Sequence, residues 1–212
     1  MSGLFITFEG PDGAGKTTQI ARISAWLHQL GVAHIRTREP GGTAISDKVR
    51  QLLLDPEHTE MADQTEVMLY AASRAQLVNE VIRPALDKGL MVLCDRYVDA
   101  SLAYQAYGLG YAVEDVAAIN QFATGGLQPK RTYLLDVPVE IGMGRVHQNR
   151  GVAPDRIEQK GSTYHESVRN GFLELAKQEP ERIYHIDATQ TADVVFSTIQ
   201  SDMVQTFSLG GN

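Results

Sequence analysis

Eight consecutive residues restrict the folds open to this chain more than any other feature: Gly10-Pro11-Asp12-Gly13-Ala14-Gly15-Lys16-Thr17. They match G-x-x-x-x-G-K-[ST]. They follow the apolar run Leu4-Phe5-Ile6-Thr7-Phe8 and open a helix-like stretch from Thr17 to Leu30. A strand, a glycine-rich turn and a helix in that order form a phosphate-binding loop. The glycines let the backbone curl until its N–H groups face phosphate oxygens, and the helix N-terminus adds a favourable dipole. Gly10, Pro11, Asp12, Gly13, Ala14, Gly15, Lys16, Thr17 and Thr18 are thus expected to hold a nucleoside triphosphate. Lys16 should reach its β- and γ-phosphates, and the Thr17 hydroxyl should face Mg²⁺.

Further strands are expected at Ala33–Thr37, Leu90–Cys94, Thr132–Leu135 and Arg182–Ile186. They read as continuous apolar runs, the mark of a parallel sheet covered on both faces. Helices are expected at Ile45–Leu54, Glu66–Asp87, Glu114–Phe122, from Ile141 onward, at Ser162–Gln178 and at Ala192–Thr206. Gly89 stops the long one and Pro84 kinks or shortens its last turn. The alternation predicts one α/β domain over 1–212, a five-stranded parallel sheet with helices on both faces. The polar, glycine-punctuated stretch at about 145–161 reads as a mobile lid.

With 212 residues and 43% hydrophobic residues the chain can bury one sizeable core. A net charge of -7 disfavours sequence-independent nucleic-acid binding, which needs a basic stripe. The single cysteine, Cys94, makes no internal disulfide and reads as a small apolar strand residue rather than a catalytic thiol. The start lacks the basic and long apolar segments of an export signal, and no stretch reads as a membrane span. A cytoplasmic protein is expected.

A signalling GTPase is disfavoured. There is no N-K-x-D, and the only D-x-x-G, Asp12 to Gly15, lies inside the phosphate loop. A motor-like or recombinase-like ATPase and a nucleotide-driven switch stay open at this point. The groups at the other strand ends favour a kinase: Arg38-Glu39 after the second strand, Asp95-Arg96-Tyr97 after the third and Asp136 after the fourth. A doubly wound sheet gathers such ends at one edge. Arg38 and Arg96 could converge there on a second phosphate, since guanidinium forks suit phosphate. Asp95 could hold Mg²⁺ directly or through water. Arg145, Arg150 and Arg156 could close over the phosphates, neutralising charge and excluding water.

Phe8-Glu9-Gly10 with its phosphate loop, Arg38-Glu39-Pro40-Gly41-Gly42-Thr43, Asp95-Arg96-Tyr97 and Asp155-Arg156-Ile157-Glu158 together resemble bacterial thymidylate kinases, over about Leu4 to Asp187. The resemblance implies a cytoplasmic homodimer that uses ATP and Mg²⁺ to convert dTMP to dTDP. The loop carries no arginine among Pro11, Asp12, Gly13 and Ala14, as in members whose lid supplies the basic groups. It further implies Tyr70 stacked on thymine, Arg74 at the base, Arg38 and Arg96 at the dTMP phosphate, and Ser101 and Gln105 lining the base pocket. Tyr104 should crowd the sugar 2′ position. Asp12 and Asp95 should lie near the transferred phosphoryl group or the metal. Tyr70 stands where the family more often has phenylalanine. Tyr70 and Arg74 are four apart and share a helical face, which suits a base site. By periodicity alone, the same stripe reads as Tyr70 and Leu77 packed into a core.

Overall fold

The computed structural model describes residues 3–149 and 154–209. Its centre is a five-stranded parallel sheet in the order β2-β3-β1-β4-β5, with β1 Phe5–Glu9, β2 His34–Arg38, β3 Met91–Asp95, β4 Arg131–Asp136 and β5 Ile183–Asp187. Phe8 pairs with Asp95 on one side and Tyr133 on the other, and Arg38 pairs with Asp95. The carboxyl ends of β1, β2 and β3 therefore lie in register, which places Glu9, Arg38 and Asp95 along one edge.

Successive strand residues point to opposite faces, and both faces are covered. Ile6, Phe8, Leu93 and Tyr133 pack on α1 (Lys16–Gln29) and α9 (Ala192–Phe207) through Ile20, Ile23, Leu27, Val195 and Ile199. On the other face Phe5, Val92 and Cys94 meet the helical stretch that begins with α3 (Asp63–Leu77). There Leu134 and Ile183 meet α6 (Val113–Thr124) and α8 (Ser162–Gln178). Two shorter helices complete the site edge, α2 (Ala44–Leu54) and α7 (Val139–Asn149). Burial raises the Cys94 thiol pKa well above its usual value, as suits a core residue. Among the described residues no helix is long and apolar enough to cross a membrane.

Two departures from the sequence reading matter. The long helix starts at Asp63 and passes through a wide π turn, Val78–Ile82, before α4 (Arg83–Asp87). Pro84 has no N–H to continue an α-helix, and the backbone widens just before it, with Arg83 N–H bonding Val78 O. The second departure is a helical segment with no counterpart among the expected elements: α5 (Val98–Ser101) and a π stretch, Leu102–Gly108. Asp99 to Ala106 are all buried, so no polar face marks a helical period in the sequence.

Candidate active site

β1 ends at Glu9, the chain turns, and α1 starts at Lys16. Gly13 has φ 74°, and a Cβ on it would lie 2.0 Å from the Gly142 carbonyl oxygen of α7. The loop thus needs glycine to lie flat on that helix. Lys16 is buried and its Nζ donates to Gly10 O at 2.9 Å and Pro11 O at 2.8 Å. Burial, then the charge of Arg96, draws its pKa down to about 8. Thr17 Oγ1 donates to Asp95 Oδ2 at 2.9 Å, so the two expected metal groups are neighbours. Gly13, Gly15, Thr18 and Arg145 line the same cleft as Lys16 and Thr17. Arg145 donates to Ala188 O at 3.0 Å and to Gly13 O at 3.4 Å, beside the loop.

Arg96 connects this cleft to the next. It is a non-glycine residue in the left-handed region, φ 69°, a conformation that costs energy and clusters at functional sites. The turn sends its side chain back over the phosphate loop. Nη1 donates to Gly10 O at 3.0 Å, and Nη2 donates to Asp12 Oδ1 at 2.6 Å and Tyr104 Oη at 3.0 Å. Tyr104 Oη donates to Asp12 Oδ2 at 3.1 Å, closing a triangle. Burial alone would raise the Asp12 pKa, but Arg96 and Lys16 hold it down to about 2. Glu9, absent from the expected set, secures this turn. It is fully buried, and its Oε1 accepts from Tyr97 N at 2.6 Å and Ala100 N at 3.3 Å at the start of α5. Its Oε2 has no hydrogen-bond partner among the described residues. Burial, with Asp99 adding, raises its pKa to about 8 against the pull of Arg96.

Beyond Arg96 a pocket is lined by Tyr70, Arg74, Ser101, Tyr104 and Gln105 together with Asp12 and Arg96. α3 and the 98–108 helix supply its walls, so the residues expected from the resemblance do meet. Arg74 is 1% exposed. Its Nε donates to Glu39 at 2.6 Å, Nη1 to Ser101 Oγ at 2.9 Å and to Asn120, and Nη2 to Tyr97 O at 2.8 Å. Tyr70 faces the pocket without joining a core cluster, whereas Leu77, one face with it on the sequence reading, packs under the sheet.

The expected cations do not all arrive at the phosphate cleft. Arg38 lines it, but is half exposed and paired with Asp47 at 3.0 Å. Arg156 is not among its lining residues. It donates to Leu53 O at 2.8 Å and to Glu66 at 2.8 Å, because fully buried Glu66 needs a cation. Arg150 lies outside the described residues. Asp136, expected at the site edge, is held below the usual carboxylate range by Arg169 and His185 despite its burial. Sequence reasoning missed Arg50, which lines both clefts and donates to Pro40 O at 3.0 Å. Nothing in its helical context marks it apart from a surface arginine.

The chemistry of the donor set fits a hard cation. Thr17 and Asp95 offer adjacent oxygens at the mouth of a phosphate loop, and Mg²⁺ takes few protein ligands beside phosphates and water. A phosphate loop and an arginine-hinged acceptor pocket on one sheet edge define a phosphate-loop phosphotransferase. The model of the thymidylate kinase family matches residues 8–199. A thymidylate kinase of Exiguobacterium sibiricum is 52% identical over 96% of this chain and 95% of that protein. One of Deinococcus radiodurans is 52% identical over 90% and 91%. The crystal structure of thymidylate kinase from Ehrlichia chaffeensis superposes with a TM-score of 0.76 at 28% identity, covering 96% of this chain and 99% of that one. The chain belongs to the thymidylate kinase family.

Proposed function

We propose that this chain transfers the γ-phosphoryl group of ATP to dTMP, giving dTDP and ADP, as a step of deoxynucleotide synthesis. The observation that carries the reading is the meeting of two clefts at Asp12 and Arg96. One is floored by the phosphate loop. The other is walled by Tyr70, Arg74, Ser101, Tyr104 and Gln105. A triphosphate on the loop and a monophosphate in the pocket bring donor and acceptor phosphates face to face, which suits in-line transfer.

Each residue then has a task. The backbone of Gly10 to Thr18 and Lys16 hold the ATP phosphates. Tyr70 stacks on the base, Arg74 and Gln105 meet its edge, and Tyr104 crowds the sugar. Arg96, assisted by Arg38, holds the acceptor phosphate, which is anionic at neutral pH and needs no strong base. Asp12 keeps Arg96 aimed, and Arg145 stands where charge develops. Thr17 and Asp95 would hold Mg²⁺, which would supply positive charge to offset that of the phosphates. A lid at about 145–161 belongs to this reading, and its Arg150 lies outside the described residues. Arg156 at its root contributes by anchoring to Glu66.

A cytoplasmic homodimer is part of the proposal. The one cysteine is a buried free thiol. Phe122 on α6 is 91% exposed and Met68 on α3 is 55% exposed, on helices that pack against each other. Apolar side chains so placed suit a partner surface. The test of function is Lys16→Ala, assayed for dTDP formation. Turnover should fall at least about 100-fold with the fold intact by circular dichroism. Undiminished turnover would overturn the assignment.

A further inference from the structure

Gln105 is buried and lines the base pocket. A side-chain amide has a donor end and an acceptor end, and the end facing a ligand decides which partner it takes. Here the orientation is imposed from behind. Glu66 on α3 is fully buried, and its Oε1 accepts from Gln105 Nε2 at 3.0 Å. Its Oε2 meets Arg156 Nη2 at 2.8 Å and Lys160 Nζ at 3.4 Å. A carboxylate only accepts. The amide must therefore turn its NH₂ to Glu66 and its Oε1 into the pocket, where Oε1 has no hydrogen-bond partner among the described residues.

Arg74 beside it is a donor only. Glu39, Ser101, Asn120 and the Tyr97 carbonyl take four of its five N–H groups, leaving one on Nη2. Arg74 and Gln105 both line the pocket, so that N–H and the Gln105 Oε1 would offer a ligand a donor next to an acceptor. Thymine and uracil present the complementary edge, with O4 accepting and N3–H donating. Cytosine presents the inverse, an amino donor and an N3 acceptor. Facing this wall, cytosine leaves buried polar groups unpaired, and such mismatches discriminate strongly.

We propose that Glu66 is a specificity-determining positioning residue: by fixing the Gln105 amide it makes the pocket accept thymine and reject cytosine. Glu66 itself touches no substrate. The inference rests on the placement of the base beside Arg74 and Gln105 proposed above.

The test compares kcat/KM for dTMP, dUMP and dCMP in the wild type, Glu66→Gln, Gln105→Leu and the double variant. An amide at position 66 can donate or accept, so Gln105 is free to reverse. The dTMP:dCMP ratio should fall about tenfold or more. The dTMP:dUMP ratio should hold, because those bases share the edge being read. Gln105→Leu should lower the dTMP:dCMP ratio similarly, and the double variant should fall no further, since Glu66 acts through Gln105. A purely structural or lid role for Glu66 would lower all three kcat/KM values together and leave both ratios unchanged, which overturns the proposal. If Gln105→Leu alone keeps the ratio, the base does not lie beside Gln105 and the placement fails with the inference. If Gln105→Leu lowers the ratio and Glu66→Gln does not, only the orienting role fails. Should Glu66→Gln fail to fold with Arg156 unpaired, Glu66→Gln combined with Arg156→Gln carries the same comparison.

Discussion

Glu9 shows how a single buried residue can couple stability to pH. Its folded pKa of about 8 lies above the usual 4.5. The folded state therefore binds the extra proton between those values. The associated stability is fully present below pH 4.5 and is lost as pH rises through about 8. Lys16 has the opposite sign, its pKa lowered from 10.5 to about 8, and acts above that window. Between pH 5.5 and 7.5 the wild type should lose melting temperature that Glu9→Gln does not, by a difference on the order of 3 °C or more. Gln keeps an acceptor for Tyr97 N and Ala100 N without titrating. Parallel Tm-versus-pH curves for the two proteins would refute this role. The phosphate-loop residues and Arg96 were legible in the sequence because their motifs are contiguous. Glu9, Arg50 and the fate of Arg156 were not. Arg156 is 90 residues from Glu66, and only the tertiary fold reveals that a buried carboxylate claims it.

At the scale of elements, the phosphate loop depends on α7. Gly142 on that helix would bring a Cβ to 2.4 Å from Asp12 O, a backbone atom that cannot give way cheaply. Gly144, two residues on, has open space around it. Alanine normally favours a helix by about 1 kcal/mol over glycine. Gly144→Ala should raise Tm by about 2–4 °C. Gly142→Ala should instead lower Tm and raise the KM for ATP about tenfold, because the loop must move off the helix. Equal behaviour of the two variants in melting and ATP titration would contradict this packing. The strands were readable to within about a residue at each end, since apolar runs such as Leu90 to Cys94 must be buried on both faces. The 98–108 helix was invisible for a related reason: it is buried all round and shows no period. It carries Ser101, Tyr104 and Gln105, so their positions followed from resemblance and not from pattern.

For the whole molecule, the exposed apolar side chains of α3 and α6 carry the dimer proposal. Replacing Met68 and Phe122 with aspartate should shift sedimentation from dimer to monomer while leaving the melting transition of each protomer cooperative, because neither side chain enters a core cluster. An unchanged sedimentation coefficient would place any interface elsewhere. Within a chain of net charge -7, Lys16, Arg38, Arg50, Arg96 and Arg145 line the phosphate cleft and give it local positive charge. The measurement that bears most directly on the account is ATP consumption with Mg²⁺ across acceptors: dTMP, dUMP, UMP, dCMP, dGMP, AMP, thymidine and none. ADP formation should depend on dTMP and exceed the dCMP rate by about tenfold or more. ADP released at the same rate without any acceptor, or a preference for a different monophosphate, would contradict it.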